Sequence, residues 1–166
     1  MTRQIVHAST QPQRLPELAQ WHHREWGHLY DDWTEQIALQ ELQSHADPDA
    51  AVDTTWLMLR NDRLCGSVSL VREDAPALRH LAGPWLASLW IAPELRRQGL
   101  GAMLVRHVIG HAHDHAIPML RLFSPRNELW YRKLGWQREH AAELLGQTVI
   151  VMSCLPAQAI TAEPGP

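Results

Sequence analysis

The segment Trp85-Leu86-Ala87-Ser88-Leu89-Trp90-Ile91 is nearly all apolar and is bounded by Pro84 and Pro93. It lacks the apolar-polar alternation of a strand with one wet face. The pattern suits a central strand covered on both sides. Such a strand needs helices on both faces of its sheet, which places the chain in the mixed α/β class. The strand leads through Arg96-Arg97-Gln98-Gly99-Leu100-Gly101-Ala102 into an apolar helix predicted over residues 100–116.

The rest of the chain supplies the other layers. Residues 4–7 form a short first strand. Leu15, Leu18, Ala19, Trp26 and Leu29 recur with helical spacing over residues 15–29. Ile37, Leu39 and Leu42 mark a second helix over residues 33–45, ended by the turn chemistry of Asp47-Pro48-Asp49. Residues 54–60 and 64–71 pair as a hairpin around Asn61-Asp62. Residues 72–83 have loop composition, and residues 119–123 are another short buried strand. Ser124-Pro125 is expected to open a short helix, since proline suits a first helical turn. Gly135 should close it in the left-handed conformation. Trp130 and Leu134, one turn apart on that helix, are expected in the core. Residues 136–138 and 148–155 are the last two strands. One domain is expected over residues 1–156. Residues 157–166 have no core-forming pattern and are expected to be a flexible tail.

Bulk properties exclude several classes. A chain of 166 residues can bury enough surface to fold without a disulfide or metal. The formal net charge of -3 offers no overall basic field for nucleic acid or an anionic membrane. Cys65 and Cys154 each sit in an apolar strand-like stretch, which fits reduced, buried thiols. Residues 1–8 lack the apolar core of a secretory signal. No stretch approaches the roughly 20 apolar residues of a membrane helix. A cytoplasmic location is expected.

The residues between strand and helix carry the main functional signal. A helix start leaves several backbone N–H groups without partners and has a partial positive charge. Those groups can bond a pyrophosphate if the backbone can come close. Gly99 and Gly101 lack the side chains that would block the approach, and Arg96 and Arg97 add charge. An ATP-type P-loop needs Lys-Ser/Thr after its last glycine, but Ala102-Met103 follows here. The dinucleotide fingerprint needs a third glycine at position 104, which is Leu.

The string Leu89-Trp90-Ile91-Ala92-Pro93-Glu94-Leu95-Arg96-Arg97-Gln98-Gly99-Leu100-Gly101 resembles the acyl-CoA motif of the GNAT superfamily, whose core is Arg/Gln-x-x-Gly-x-Gly/Ala. Leu122-Phe123, Asn127 and Trp130-Tyr131-Arg132-Lys133-Leu134-Gly135-Trp136 resemble that family's second segment, and Val149-Ile150-Val151-Met152 fits its closing strand. The match covers residues 84–155. The resemblance implies a mostly antiparallel sheet of roughly six or seven strands with helices on both faces. It implies a sheet splayed between strands 85–91 and 119–123. Acetyl-CoA would be the cosubstrate. Its pyrophosphate would rest on the backbone of Arg96, Arg97, Gln98, Gly99, Leu100, Gly101 and Ala102. Its pantetheine would run along Leu89, Trp90 and Ile91, using the main chain of Leu89 and Ile91, with Asn127 on the pantetheine arm.

Acetyl transfer needs a neutral amine, a polarised thioester and a protonated leaving thiolate. Tyr131 occupies the family position for the acid, one helical turn after Asn127. The resemblance also suggests a main-chain N–H on the central strand, that of Leu89, as the oxyanion donor. Many relatives carry a Glu on this strand, but here it has no carboxylate. Ser88 could order a water. Glu25, His28, Asp31, Asp32 and His80 lie on segments that border the acceptor side in such a fold. Glu25 is the first choice of base, because Glu25-Trp26 resembles a recurring pair in bacterial relatives.

Other features have ordinary readings. His107, His111 and His115 repeat every four residues, but position 108 is not the Glu of a metalloprotease helix. They are expected to pack at a helix edge without metal, as are His22 and His23. Trp21, Trp26 and Trp33, three of the 8 tryptophans, either pack a helical layer or wall an acceptor site. The expected activity is acetylation of a primary amine on a small molecule or a peptide end. The alternatives are an aminoglycoside-type resistance acetyltransferase and a non-catalytic acyl-CoA sensor. No nucleic-acid or membrane partner is expected, and the chain should be a monomer or homodimer.

Overall fold

Asn61 and Asp62 both adopt left-handed backbone angles, with φ of 50° and 58°. That is the tight turn whose twist matches a β-hairpin, and Asn and Asp tolerate it better than other side chains. It joins the long central strands β2 (Thr54–Arg60) and β3 (Arg63–Val71). In this computed structural model, which describes residues 1–161, the chain begins with β1 (Arg3–His7), α1 (Leu15–Trp26) and α2 (Glu35–Ser44). After β3 come β4 (Trp85–Ile91), α3 (Leu100–Asp114), β5 (Leu120–Ser124) and α4 (Glu128–Arg132). β6 (Gln137–Leu144), β7 (Gln147–Cys154) and α5 (Pro156–Ala159) follow.

The strands form one seven-stranded sheet in the order β1-β2-β3-β4-β5-β7-β6. It is mostly antiparallel. β4 and β5 run parallel, with Trp85 opposite Arg121. The chain divides into two compact units. The first comprises Met1–Ser69 and Ser88–Leu104; the second comprises Leu70–Ala87 and the described residues from Val105 onward.

In the first unit, α1 and α2 cover the sheet. Leu15, Leu18, Ala19, Ala38 and Leu42 pack against Leu57, Leu59 and Leu64. Leu18 is 0% exposed. Truncating such a residue to Ala costs about 2–5 kcal/mol. α1 ends earlier than its apolar repeat suggested, because Gly27–Leu29 tighten into a 3-10 turn. α2 starts at Glu35, where the Thr34 hydroxyl accepts the Ile37 N–H at 3.2 Å and caps the helix.

In the second unit, Val71, Leu78, Trp85 and Ala87 pack with Leu144, Val149 and Val151. The sequence placed only residues 136–138 in the penultimate strand, whereas β6 extends to Leu144. β6 is an edge strand, and most of its residues face solvent, so no apolar pattern marks it. Ser124-Pro125 does not open a helix. Ser124 completes β5, and the chain reverses through Asn127 at φ 70° before α4 begins at Glu128. Gly135 turns the chain after α4 at φ 93°. Trp130 is 37% exposed and does not join the core. The expected tail opens with the helical turn α5. Gly135 lies against it, since a Cβ there would sit 3.0 Å from the Ala159 methyl. Residues 162–166 of the expected tail lie outside the described residues.

Candidate active site

The chain leaves β4 at Ile91 and makes a 3-10 turn over Pro93–Leu95, fixed by the Leu95 N–H to the Ala92 carbonyl at 2.8 Å. It then passes through two left-handed residues, Arg97 at φ 60° and Gly99 at φ 79°. α3 starts at Leu100, and the Met103 N–H bonds the Gly99 carbonyl at 3.2 Å. Leu100, Gly101 and Ala102 therefore supply helix-start amides that have no partner within the helix. A Cβ built on Gly99 meets no atom within 4 Å. The space over Gly99 is open, and its backbone angle is one that side chains resist. Left-handed residues alternating with ordinary ones turn successive N–H groups inward, into an anion-binding concavity. The loop therefore fits a pyrophosphate.

The arginines have more specific duties than added charge. Arg96 donates from Nε to the Ile91 carbonyl at 2.9 Å. Its Nη2 lies 3.5 Å from Oε1 of Glu25 on α1. Arg96 thus ties the start of the loop to the end of β4 and to α1. Gln98 accepts from Arg60 Nη1 at 3.0 Å. Glu25, the first choice of base, has its carboxylate beside Arg96 of that loop. That link joins residues far apart in sequence, so no local signal announces it.

β4 itself changes character half-way. Trp85, Leu86 and Ala87 are buried, whereas Ser88, Leu89 and Ile91 are only partly covered. Ser88 has φ 53°, a left-handed angle inside a strand. Beside the second half, Gly66 of β3 comes close: a Cβ there would meet Ile91 Cδ1 at 2.7 Å and the Trp90 carbonyl at 2.9 Å. The Trp90 ring stacks on Trp21 of α1 at 4.4 Å between centroids.

In the second unit, Tyr131 sits on α4, and its N–H bonds the Asn127 carbonyl at 3.0 Å. The helical relation between the two residues is therefore formed. The Tyr131 ring is buried between edge contacts to Trp130 at 4.8 Å and Trp136 at 6.2 Å. Burial pushes its hydroxyl up to about 12. It stays protonated at every working pH, so it can donate a proton or a hydrogen bond but is no base.

The sequence model of the acetyltransferase (GNAT) family matches residues 15–136. The chain belongs to this family. No curated protein sequence matches it significantly. Solved GNAT structures do. An acetyltransferase of the GNAT family from Streptococcus pneumoniae is 20% identical, covering 93% of this chain and 99% of that one with a TM-score of 0.67. The aminoglycoside 6'-acetyltransferase type Ii is 15% identical over 94% of this chain and 97% of that one, with a TM-score of 0.70. N-acetylglutamate synthase from Neisseria gonorrhoeae, solved with coenzyme A and N-acetyl-glutamate, is 16% identical; 93% of this chain and 35% of that one align at a TM-score of 0.62. At these identities the likeness is one of fold.

Several sequence expectations for this GNAT chain change with the structure. His22 is not at a helix edge: it is 3% exposed and its Nε2 lies 2.8 Å from Ser67 Oγ. Burial drives its imidazole down to about 3, so it is neutral. The signal was present, because His22 follows Leu15, Leu18 and Ala19 at the next position of the same helical stripe. Asp74 lies in the β3–β4 connection, a segment whose loop composition gives no functional signal. It is half-buried next to the buried Ala75, and desolvation raises its carboxyl to about 7. That is the range where a carboxylate works as a general base.

The other tempting features resolve simply. His115 lies beside His111, rings 4.1 Å apart, with Nδ1 donating to the His111 carbonyl at 2.9 Å. Among the described residues, no group of three or more His, Cys, Asp or Glu is placed to hold a metal ion. No described helix is long and apolar enough to cross a membrane. Trp33 packs on the α1–α2 core and donates to Glu41 Oε2 at 3.2 Å, and Trp21 pairs with Trp90. These tryptophans serve packing. Cys65 and Cys154 are both free and buried.

Proposed function

We propose that this GNAT protein is a cytoplasmic N-acetyltransferase that moves an acetyl group from acetyl-CoA to a primary amine of a small molecule or a peptide N-terminus. The observation that carries this reading is the open, left-handed backbone at Gly99, set at the mouth of a 15-residue helix directly after the distorted strand β4. Backbone amides of residues 96–102 would hold the pyrophosphate, with Arg96 fixing the loop rather than gripping the ligand. The main chain of Leu89 and Ile91, beside Trp90, would take the pantetheine arm, with Asn127 as a further contact.

In the proposed reaction the amine nitrogen attacks the thioester carbon, and the C–S bond breaks. The departing sulfur takes the proton of Tyr131, which burial keeps protonated and available to donate at neutral pH. The proton lost by the amine passes to a base through water. Two carboxylates are candidates for that base: Glu25, 3.5 Å from Arg96 of the loop, and Asp74, which burial raises to about 7. Ser88 contributes through its backbone and not as a base.

The test is CoA release from acetyl-CoA across a panel of polyamines, aminoglycosides and peptide N-termini, with binding followed by thermal shift. Tyr131→Phe should bind acetyl-CoA normally and lose about tenfold or more in turnover. A protein that binds acetyl-CoA but releases no CoA with any amine, and that Tyr131→Phe leaves unchanged, would be an acyl-CoA sensor.

A further inference from the structure

Two buried polar side chains, His22 and Ser67, form a line that ends on the partly covered, distorted peptide of β4. His22 on α1 places Nε2 2.8 Å from Ser67 Oγ on β3, and that oxygen lies 3.3 Å from the Ser88 carbonyl. His22 is 3% exposed and Ser67 is 0% exposed. The proton directions follow from the groups themselves. A carbonyl only accepts, so the Ser67 hydroxyl donates its proton to Ser88. Ser67 Oγ must then accept from His22, which therefore carries its proton on Nε2. The chain of donors runs one way, from helix to strand to strand.

The end point matters because of peptide planarity. The Ser88 carbonyl and the Leu89 N–H are the two ends of one trans peptide, and they point in opposite directions. Ser88 sits at φ 53°, where a side-chain-bearing residue persists only if its surroundings hold it. Whatever fixes the carbonyl also aims the amide. Packing α1 on β3 does not require this arrangement, since apolar side chains would do so without desolvating a hydroxyl and an imidazole.

We propose that His22 and Ser67 are positioning residues: by holding the Ser88 carbonyl, they aim the Leu89 N–H at the thioester oxygen of acetyl-CoA. The proposal rests on the acetyl-transfer reading of the same site. The relay acts on the carbonyl end of the ligand and not on the phosphate loop, so acetyl-CoA affinity and catalysis should separate.

Infrared difference spectra of bound [1-13C]acetyl-CoA read the polarisation of the carbonyl whether or not an amine is found. In the wild type the stretch should lie below its free-ligand frequency. In Ser67→Ala it should return toward the free value, with coenzyme A affinity within about twofold and kcat down about tenfold or more. Ser67→Thr, which keeps the hydroxyl, should restore both. Should Ser67→Ala fail to fold, the same comparison runs from the other end: His22→Gln keeps a donor, and His22→Leu has none. An unshifted wild-type stretch, or Ser67→Ala and His22→Leu spectra identical to a shifted wild type, overturns the relay and leaves acetyl transfer standing. Failure of the wild type to bind acetyl-CoA overturns both.

Discussion

Gly99→Ala separates what the phosphate loop needs for folding from what it needs for its ligand. The glycine has φ 79°, and a Cβ there would touch no protein atom within 4 Å. No clash opposes the new methyl, so the only folding cost is the left-handed backbone, about 1–2 kcal/mol. For a chain of this size that lowers Tm by about 2–8 °C. The internal control is Gly110→Ala. Gly110 lies within α3, and its Cβ also meets nothing within 4 Å, but its backbone is not left-handed. That change should raise Tm by about 2–4 °C, because Ala is worth about 1 kcal/mol over Gly in a helix. The two variants should diverge further when coenzyme A is added. At 100 times its dissociation constant the ligand stabilises the wild type and Gly110→Ala by about 2.7 kcal/mol. In Gly99→Ala the methyl stands where the proposed pyrophosphate would approach. Losing one charge-assisted hydrogen bond costs about 1.5–3 kcal/mol, or a ten- to hundredfold weaker Kd. The stabilisation at the same ligand concentration then falls to about 0.4–1.4 kcal/mol. Thermal shift with and without coenzyme A measures all of these. If Gly99→Ala keeps the full ligand increment, the pyrophosphate does not lie over Gly99.

Two further predictions concern protons. Burial lowers the His22 imidazole from 6.5 to about 3, so the unfolded chain binds a proton that the folded chain refuses. Its contribution to stability is full above pH 6.5 and is lost as pH falls toward 3, at about 1.4 kcal/mol per pH unit. Urea unfolding of His22→Gln between pH 6.5 and 4 should therefore show a shallower acid loss than the wild type; parallel slopes would mean that His22 is hydrated or charged. The second prediction distinguishes the two carboxylates. With Asp74 as base, kcat/KM rises with pH through about 7, and Asp74→Asn removes that limb while slowing the reaction. Glu25→Gln should leave the limb in place and raise the KM for acetyl-CoA, because it frees Arg96; the reverse pattern would make Glu25 the base.

The parts of the fold legible in the sequence are those encoded within a few residues. The buried run of β4, the glycines that follow it and the Asn61-Asp62 turn each state a local requirement of the backbone. β6 carries no apolar pattern beyond its start, because an edge strand answers to solvent and its residues are mostly polar. Trp130 was placed in the core because an aromatic one turn from a leucine looks buried, yet α4 is only five residues long and shows that side chain to water. Pairings across the chain could not be read at all. Glu25 meets Arg96, and His22 meets Ser67, only after α1 has docked on the sheet. The burial of His22 itself was readable from its place on the α1 stripe; its partner was not.

Backbone strain supports the same site from a different direction. Eight non-glycine residues among those described have positive φ. Asp53, Asn61, Asp62 and Asn127 are of the types that tolerate it. Ala116 has a local reason: it stops α3, with the Ile117 N–H returning to the Ala112 carbonyl at 2.9 Å in the usual helix-ending pattern. Leu145 also has one, since with Gly146 it makes the tight β6–β7 turn. Ser88 and Arg97 have neither excuse. One interrupts a strand and the other precedes a helix, and each costs on the order of 1–3 kcal/mol. They bracket Leu89 to Arg96, the stretch that leads from the Leu89 N–H, the proposed donor to the thioester carbonyl, to the proposed phosphate loop. Strain placed at both ends of that stretch, and held there by the Ser67 hydroxyl at one end and the Arg96 clamp at the other, is what a backbone shaped for a ligand should carry.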